Sequence, residues 1–180
     1  GQSVVAVSVG GDHSFAITAD GAVWSWGGGG EGRLGHGNQQ NRQLPKKVEA
    51  FAGRRVVAVA AGGIHSLAIT ADGAVWSWGE GGVGELGHGD MQGQPLPKKI
   101  ETFAGRRVVA VSAGDRHSIA ITADGSAWSW GDGAYGRLGH GDEQDQLLPK
   151  KIETFTGRRV VTVSAGARHS LATTADGAAW

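Results

Sequence analysis

One spacing governs this chain: the same residues return every 52 positions. His13, His65, His117 and His169 keep that step, as do Trp24, Trp76, Trp128 and Trp180, and Trp26, Trp78 and Trp130. Gly-His-Gly recurs at 35–37, 87–89 and 139–141, and Pro45, Pro97 and Pro149 are each followed by two lysines. No insertion or deletion breaks the register. A fixed period of this kind marks a repeat architecture, in which each unit buries its apolar face only by stacking on its neighbours. The 180 residues form a single array over 1–180, divided into unit 1 (1–52), unit 2 (53–104), unit 3 (105–156) and a partial unit 4 (157–180).

Within a unit the period is two, the signature of strands. Val56 to Ala61 mixes β-branched and small residues with no polar face, which predicts a strand covered on both sides. In the next strand His65, Leu67 and Ile69 share one side, and Ser66, Ala68 and Thr70 share the other. Asp72-Gly73 predicts a type I′ hairpin turn, and Ala74 to Trp78 returns with both tryptophans on one face. Gly79 to Gly89 reads as a loop, and Lys98 to Phe103 as a fourth, short, edge-like strand. The 33 glycines suit frequent tight turns, and no window between them carries a helical apolar period. Four antiparallel strands per unit, covered by neighbouring units, is the organisation of a β-propeller blade. The fold class is all-β, with about three and a half blades in this chain.

The charge balance, 17 basic against 17 acidic residues, gives no global reason to expect nucleic acid or an anionic membrane as partner. No apolar run is long enough to span a membrane as a helix, and Gly1-Gln2-Ser3 opens no signal peptide. The absence of cysteine excludes disulfides and fits an intracellular chain, cytoplasmic or nuclear. Without an initiator methionine, the sequence reads as a piece of something longer.

The paired glycines of kelch units fail here, since Gly10-Gly11 and Gly62-Gly63 become Gly114-Asp115 and Gly166-Ala167, and no Trp-Asp pair occurs. The run from Ala113 to Gly125, continued by Trp128-Ser129-Trp130-Gly131 and Gly136-Arg137-Leu138-Gly139-His140-Gly141, resembles the regulator of chromosome condensation repeat over essentially the whole chain. That resemblance implies a seven-bladed propeller, of which this chain holds half. It does not fix an activity, because members of the family include a Ran nucleotide exchange factor, a plant UV-B photoreceptor and substrate-binding domains of ubiquitin ligases. The photoreceptor's tryptophans resemble a Gly-Trp-Arg-His-Thr pattern. The matching positions here, Gly114-Asp115-Arg116-His117-Ser118, lack the tryptophan, so the Trp-Ser-Trp pairs are assigned to the core between blades.

No constellation in the sequence supports catalysis, a cofactor or a metal. The four unit histidines stand on separate blades, so each is expected to hydrogen-bond within a turn or to a neighbouring blade. Adjacent His and Ser in a strand point to opposite faces and cannot act as base and nucleophile. Asp20, Asp72, Asp124 and Asp176 belong to turns, and Gly27 to Gly30 lacks the Lys-Ser/Thr of a phosphate loop.

What distinguishes the units is their loops and their charges. Lys46-Lys47, Lys98-Lys99 and Lys150-Lys151, with Arg54-Arg55, Arg106-Arg107 and Arg158-Arg159, recur once per blade and predict a basic band partly neutralised by Glu49, Glu101 and Glu153. Position 12 reads Asp12, Ile64, Arg116 and Arg168, and the first loop varies at Arg33, Glu85, Arg137 and Tyr135. A partner that distinguishes blades must read such residues. The candidate partner-binding set is therefore Lys46, Lys47, Lys98, Lys99, Lys150, Lys151, Arg33, Glu85, Arg137, Tyr135, Arg116 and Arg168.

Three functions remain open on these grounds. The first is a non-enzymatic scaffold that binds protein, with a small GTPase or chromatin among the partners. The second is an exchange factor for a Ran-like GTPase; in the family that activity depends on a wedge inserted in one blade, and no insertion is present. The third is an engineered or recently amplified repeat with no evolved partner. Three and a half blades cannot close a ring, so self-association or a longer chain is expected to complete it.

Overall fold

The computed structural model describes residues 3–180; Gly1 and Gln2, part of the opening segment read above for a signal peptide, lie outside the described residues. Fourteen strands follow one another. Unit 1 holds β1 (Val4–Val9), β2 (His13–Thr18), β3 (Val23–Gly27) and β4 (Arg42–Lys47). Unit 2 holds β5 (Val56–Ala61), β6 (His65–Thr70), β7 (Val75–Gly79) and β8 (Gln94–Lys99). Unit 3 holds β9 (Val108–Ala113), β10 (His117–Thr122), β11 (Ala127–Gly131) and β12 (Gln146–Lys151), and unit 4 holds β13 (Val160–Ala165) and β14 (Ser170–Thr174). Each full unit is one four-stranded antiparallel meander in sequence order, and unit 4 is its first hairpin.

The first strands are innermost. They touch one another across blades, with Ala61 N–H bonded to Ser8 Oγ at 3.0 Å and Gly63 N–H to the Gly114 carbonyl at 3.0 Å. Antiparallel register then defines two ends of every blade. Val9 opposite Ser14 and His13 opposite Gly27 place residues 10–12 and 28–41 at what we term the loop end. Val4 opposite Thr18 and Trp24 opposite Lys47 place the 19–22 hairpin and the 48–55 connection at the turn end.

The core lies between blades. Trp78 of unit 2 packs edge-on against Phe15 of unit 1 at 5.6 Å and close to Phe51 at 5.8 Å, and is fully buried. Trp130 repeats this against Phe103, whereas Trp26, with no blade before it among the described residues, is only half-buried. Val4 shows the same dependence: it is 53% exposed, while its equivalents Val56 and Val108 are 1% exposed. Stacking, not the isolated sheet, makes the core.

Three local expectations are corrected. The Asp-Gly turn is not type I′, because Asp72 does not take positive φ; Gly73 does, at 84°, and its N–H bonds the Thr70 carbonyl at 2.8 Å. This is a three-residue turn ending in a left-handed glycine. The Asp72 carboxylate stabilises it by accepting from Thr70 Oγ1 at 2.6 Å and from Ala74 N–H at 3.2 Å. The fourth strand of unit 2 runs Gln94–Lys99 rather than Lys98–Phe103, so it contains Pro95 and Pro97. It is the outermost strand, where missing N–H groups can face solvent. Glu101–Phe103 is instead a 3₁₀ turn that drops Phe103 into the core. Finally, β5 is not covered on both sides, since Val57 is 49% exposed.

Candidate functional site

The repeated polar residues are consumed in joining blades. At the first joint His13 Nε2 meets Ser66 Oγ of the next blade at 2.8 Å, and Ser66 Oγ donates to the Arg33 carbonyl at 2.9 Å. Because the serine proton is spent on that carbonyl, the hydroxyl accepts from Nε2–H, leaving Nδ1 as an unprotonated, buried nitrogen without a partner. The same chain recurs as His65–Ser118–Glu85 carbonyl and His117–Ser170–Arg137 carbonyl. Burial, then the nearby Arg33 charge, lowers the His13 pKa to about 4; burial lowers His65 to about 3 and His117 to about 4. A neutral histidine that donates to its serine cannot serve as that serine's base. For Nε2 of His13, His65 and His117 the expectation of a bond to the neighbouring blade holds, with a serine hydroxyl as the partner; for their Nδ1 atoms and for the exposed His169 it does not. The Gly-His-Gly histidines act within their own loops, His36 Nε2 lying 3.0 Å from Ser25 Oγ, which donates to the Leu34 carbonyl.

Three members of the candidate set are withdrawn from the surface. Arg33 is buried, with Nε bonded to the Gly30 carbonyl at 2.9 Å and its guanidinium paired to Asp12 at 3.2 Å. Arg137 is buried and paired to Asp132 at 3.0 Å. Glu85 is fully buried; Oε2 accepts from Val83 N–H at 2.9 Å, Oε1 has no partner, and burial pushes its pKa up. Variation between units identified these positions, but it does not distinguish a solvent-facing side chain from one folded back under its loop.

The lysine pairs stand near the turn end of each outer strand. Lys46, Lys98 and Lys150 are exposed, and Lys47, Lys99 and Lys151 are half-buried. The arginines beside them are ordered on aromatic rings: Arg54 lies over Trp76 at 5.1 Å, Arg106 over Trp128 at 5.3 Å and Arg158 over Trp180 at 4.5 Å. The expected neutralisation by Glu49, Glu101 and Glu153 does not take the form of ion pairs, because the two ion pairs among the described residues both lie at the loop end.

At that end the structure brings four candidates together. Arg116, Tyr135, Arg137 and Arg168 line one cleft of about 290 Å³ with Asp115 and Asp132. Tyr135 is 69% exposed, and the guanidiniums of Arg137 and Arg168 each lie 5.6 Å from its ring centre. Its backbone has φ 61° and ψ 18°, the left-handed region that bulky residues avoid. Its counterpart in unit 1, Glu31, does the same at φ 56°, whereas in unit 2 the β-branched Val83 does not; the following glycine is left-handed in all three units, Gly32 at 77°, Gly84 at 82° and Gly136 at 68°. An adjoining cavity of about 320 Å³, which shares Tyr135, Arg137 and Arg168 with the cleft and is walled deeper in by Ile119, Leu138, Ile152 and Phe155, occupies the position that Trp78 and Trp130 fill at the other joints, and belongs to blade stacking. Asp115 and Asp132 were not singled out by the sequence, although both stand next to variable positions.

Residues 1–180 match the family model described as RCC1-like domain. The chain is 44% identical over 178 residues to the human E3 ubiquitin-protein ligase HERC2, which covers 98% of this chain and 4% of the ligase. It is 41% identical over 179 residues to the Ultraviolet-B receptor UVR8 of Arabidopsis thaliana, covering 99% of this chain and 41% of the receptor. Among solved structures, Prp20p of Saccharomyces cerevisiae superposes with a TM-score of 0.85 at 28% identity, covering 94% of this chain and 43% of that one. The chain thus spans less than half the length of each of these proteins.

Proposed function

The chain belongs to the RCC1-like domain family, and from that premise we propose that it is a non-enzymatic module that binds other proteins through the loop end of its blades. The observation that carries the reading is the Tyr135 cleft. Tyr135 is an exposed aromatic in a costly backbone conformation, with the guanidiniums of Arg137 and of Arg168 from the following blade each 5.6 Å from its ring centre. Aromatic and arginine side chains dominate binding energy at protein interfaces. The joint residues His65, Ser118 and Trp130, by contrast, are buried and bonded across blades.

The partner class follows from Prp20p, a protein described by its binding to Gsp1p and histones; we extend that class, a Ran-like GTPase or chromatin protein, to this chain. Nucleotide exchange is the second reading, favoured by the same neighbour and opposed by the uninterrupted 52-residue register. No helix among the described residues is long and apolar enough to cross a membrane, and the absence of cysteine fits the intracellular site that we propose.

The test immobilises the chain and measures capture of a Ran-like GTPase and of core histones, with and without the substitutions Tyr135→Ala and Arg168→Ala. Capture of one of the two, weakened about tenfold or more in the doubly substituted chain at unchanged thermal stability, is the expected result. Equal capture by the variant would refute the loop-end assignment. Accelerated release of labelled GDP from the GTPase would refute the non-enzymatic reading.

A further inference from the structure

Every full unit sends the same charges to the same end. At the turn end of unit 1 stand Lys46, Lys47, Arg54 and Arg55 against Asp20 and Glu49, and units 2 and 3 repeat the set at steps of 52. Twelve of the 17 cations therefore lie at that end with seven of the 17 carboxylates, Asp176 included. The loop end keeps the other five cations and ten carboxylates. A formal charge of zero thus conceals about five excess positive charges at one end and about five excess negative charges at the other.

Contacts do not erase this separation. Both ion pairs, Arg33 with Asp12 and Arg137 with Asp132, are internal to the loop end. In units 2 and 3 the two signs also occupy opposite ends of the same outermost strand, whereas β4 of unit 1 begins at Arg42. In unit 3 the exposed Asp142, Glu143 and Asp145 lead into β12, and Lys150 and Lys151 close it. In unit 2 Asp90 precedes β8, and Lys98 and Lys99 close it.

We propose that copies of this chain stack coaxially in one polarity, the turn end of one upon the loop end of the next. Zero net charge removes the repulsion that keeps strongly charged proteins apart. The separated charges then favour this orientation and oppose the two symmetric ones, which would set like-charged faces together. The interface is heterologous, so the stack grows open-ended instead of stopping at a dimer. Its occupant is a second copy because the complementary surface, equal in charge and set on two blades at the opposite ends of the same strands, is on the molecule itself. The Tyr135 cleft lies at the loop end, so stacking and partner binding compete.

Sedimentation equilibrium tests the proposal on three proteins: the wild-type chain, a turn-end variant (Lys46→Glu, Lys98→Glu, Lys150→Glu) and a loop-end variant (Asp142→Lys, Glu143→Lys, Asp145→Lys). All substituted residues are exposed and lie near strand ends or in loops, and the near-ultraviolet dichroism of the tryptophans reports that each protein is folded. In 0.1 M salt the wild-type mass should rise with concentration. Its association should weaken about tenfold or more in 1 M salt, as the Debye length falls from about 10 Å to about 3 Å. Each variant alone should stay a monomer, and mixing the two should restore association, since each retains one native face. Association that salt does not weaken, variants that assemble like wild type, or a mixture that does not assemble would each overturn the proposal. The first of these outcomes would assign assembly to the apolar blade faces instead.

Discussion

Acid should dismantle the joints between blades, and the joints' share of the effect follows from three histidines. His13, His65 and His117 are buried, donate through Nε2 and hold Nδ1 without a partner, so protonation places a charge where nothing solvates it. Their folded pKa values, about 4, about 3 and about 4, lie below the 6.5 of a free side chain. The sign is fixed by linkage. Above pH 6.5 both states are neutral and stability is level; below it the unfolded chain takes up protons that the folded chain refuses, and stability falls until the folded pKa is reached. At about 1.4 kcal/mol per pH unit and proton, each histidine forfeits about 2 kcal/mol between pH 7 and pH 5, or about 5–6 kcal/mol together. That is comparable to the whole stability of an ordinary domain. Urea unfolding followed by tryptophan fluorescence at half-unit pH steps measures the loss directly. His65→Gln, which removes one of the titrating groups, should make the slope shallower, even if its stability at pH 7 is lower. A loss of less than about 1 kcal/mol between pH 7 and pH 5 would show that the buried Nδ1 atoms are solvated or bonded in solution, and the account of the joint would be wrong.

Glycine positions separate crowding from backbone strain. A Cβ on Gly62 would lie 2.5 Å from the Gly114 carbonyl oxygen of the next blade, so Gly62→Ala should cost about 3 kcal/mol, while Gly53→Ala, with φ 76° and open space around it, should cost about 1 kcal/mol, both read from urea midpoints. Glu85→Gln removes a buried carboxyl whose Oε1 has no partner; it should raise the melting temperature at pH 8 and lose that advantage as pH falls and the native carboxyl takes up its proton. Tyr135→Gly should not lower stability and should raise it by up to about 1 kcal/mol, because it relieves positive φ at an exposed site, while partner capture declines; loss of stability would mean that Tyr135 serves the fold.

Much of the fold was legible because the constraint on it is repeated. A period of two between glycines can only be strand, and the tryptophans at 76 and 78 can reach a core only through the neighbouring blade. What escaped was local chemistry that the alphabet leaves ambiguous. Asp-Gly serves both a type I′ turn and a three-residue turn, and Thr70, two positions before the aspartate, decides by donating to it. The outer strand was expected to begin only after Pro97, yet an unpaired edge tolerates that proline and Pro95 as well. The charge separation could have been read from the sequence by sorting cations by unit position. A global sum of zero hides it, and only the strand register says which positions share an end.

The buried Arg33, Glu85 and Arg137 explain why a repeat protein can vary at a place its joints depend on. Each joint needs one acceptor at that position, and the backbone supplies it. The Arg33 carbonyl accepts from Ser66 Oγ at 2.9 Å and Trp78 Nε1 at 2.8 Å, and the Glu85 carbonyl from Ser118 Oγ at 2.9 Å and Trp130 Nε1 at 2.9 Å. A carbonyl is the same in arginine and glutamate, so the joint places no demand on the side chain. The side chain is then free to follow its charge environment. Arg33 folds onto Asp12 of its own blade, Glu85 finds Ile64 at that position and keeps one oxygen unpaired, and Arg137 faces Arg116 and turns to Asp132 instead. In unit 3 this choice leaves Arg116 exposed beside the Tyr135 loop, where Arg168 of unit 4 is also exposed. One side chain under a loop thus determines which charges its blade presents, at no cost to the stacking that holds the blades together.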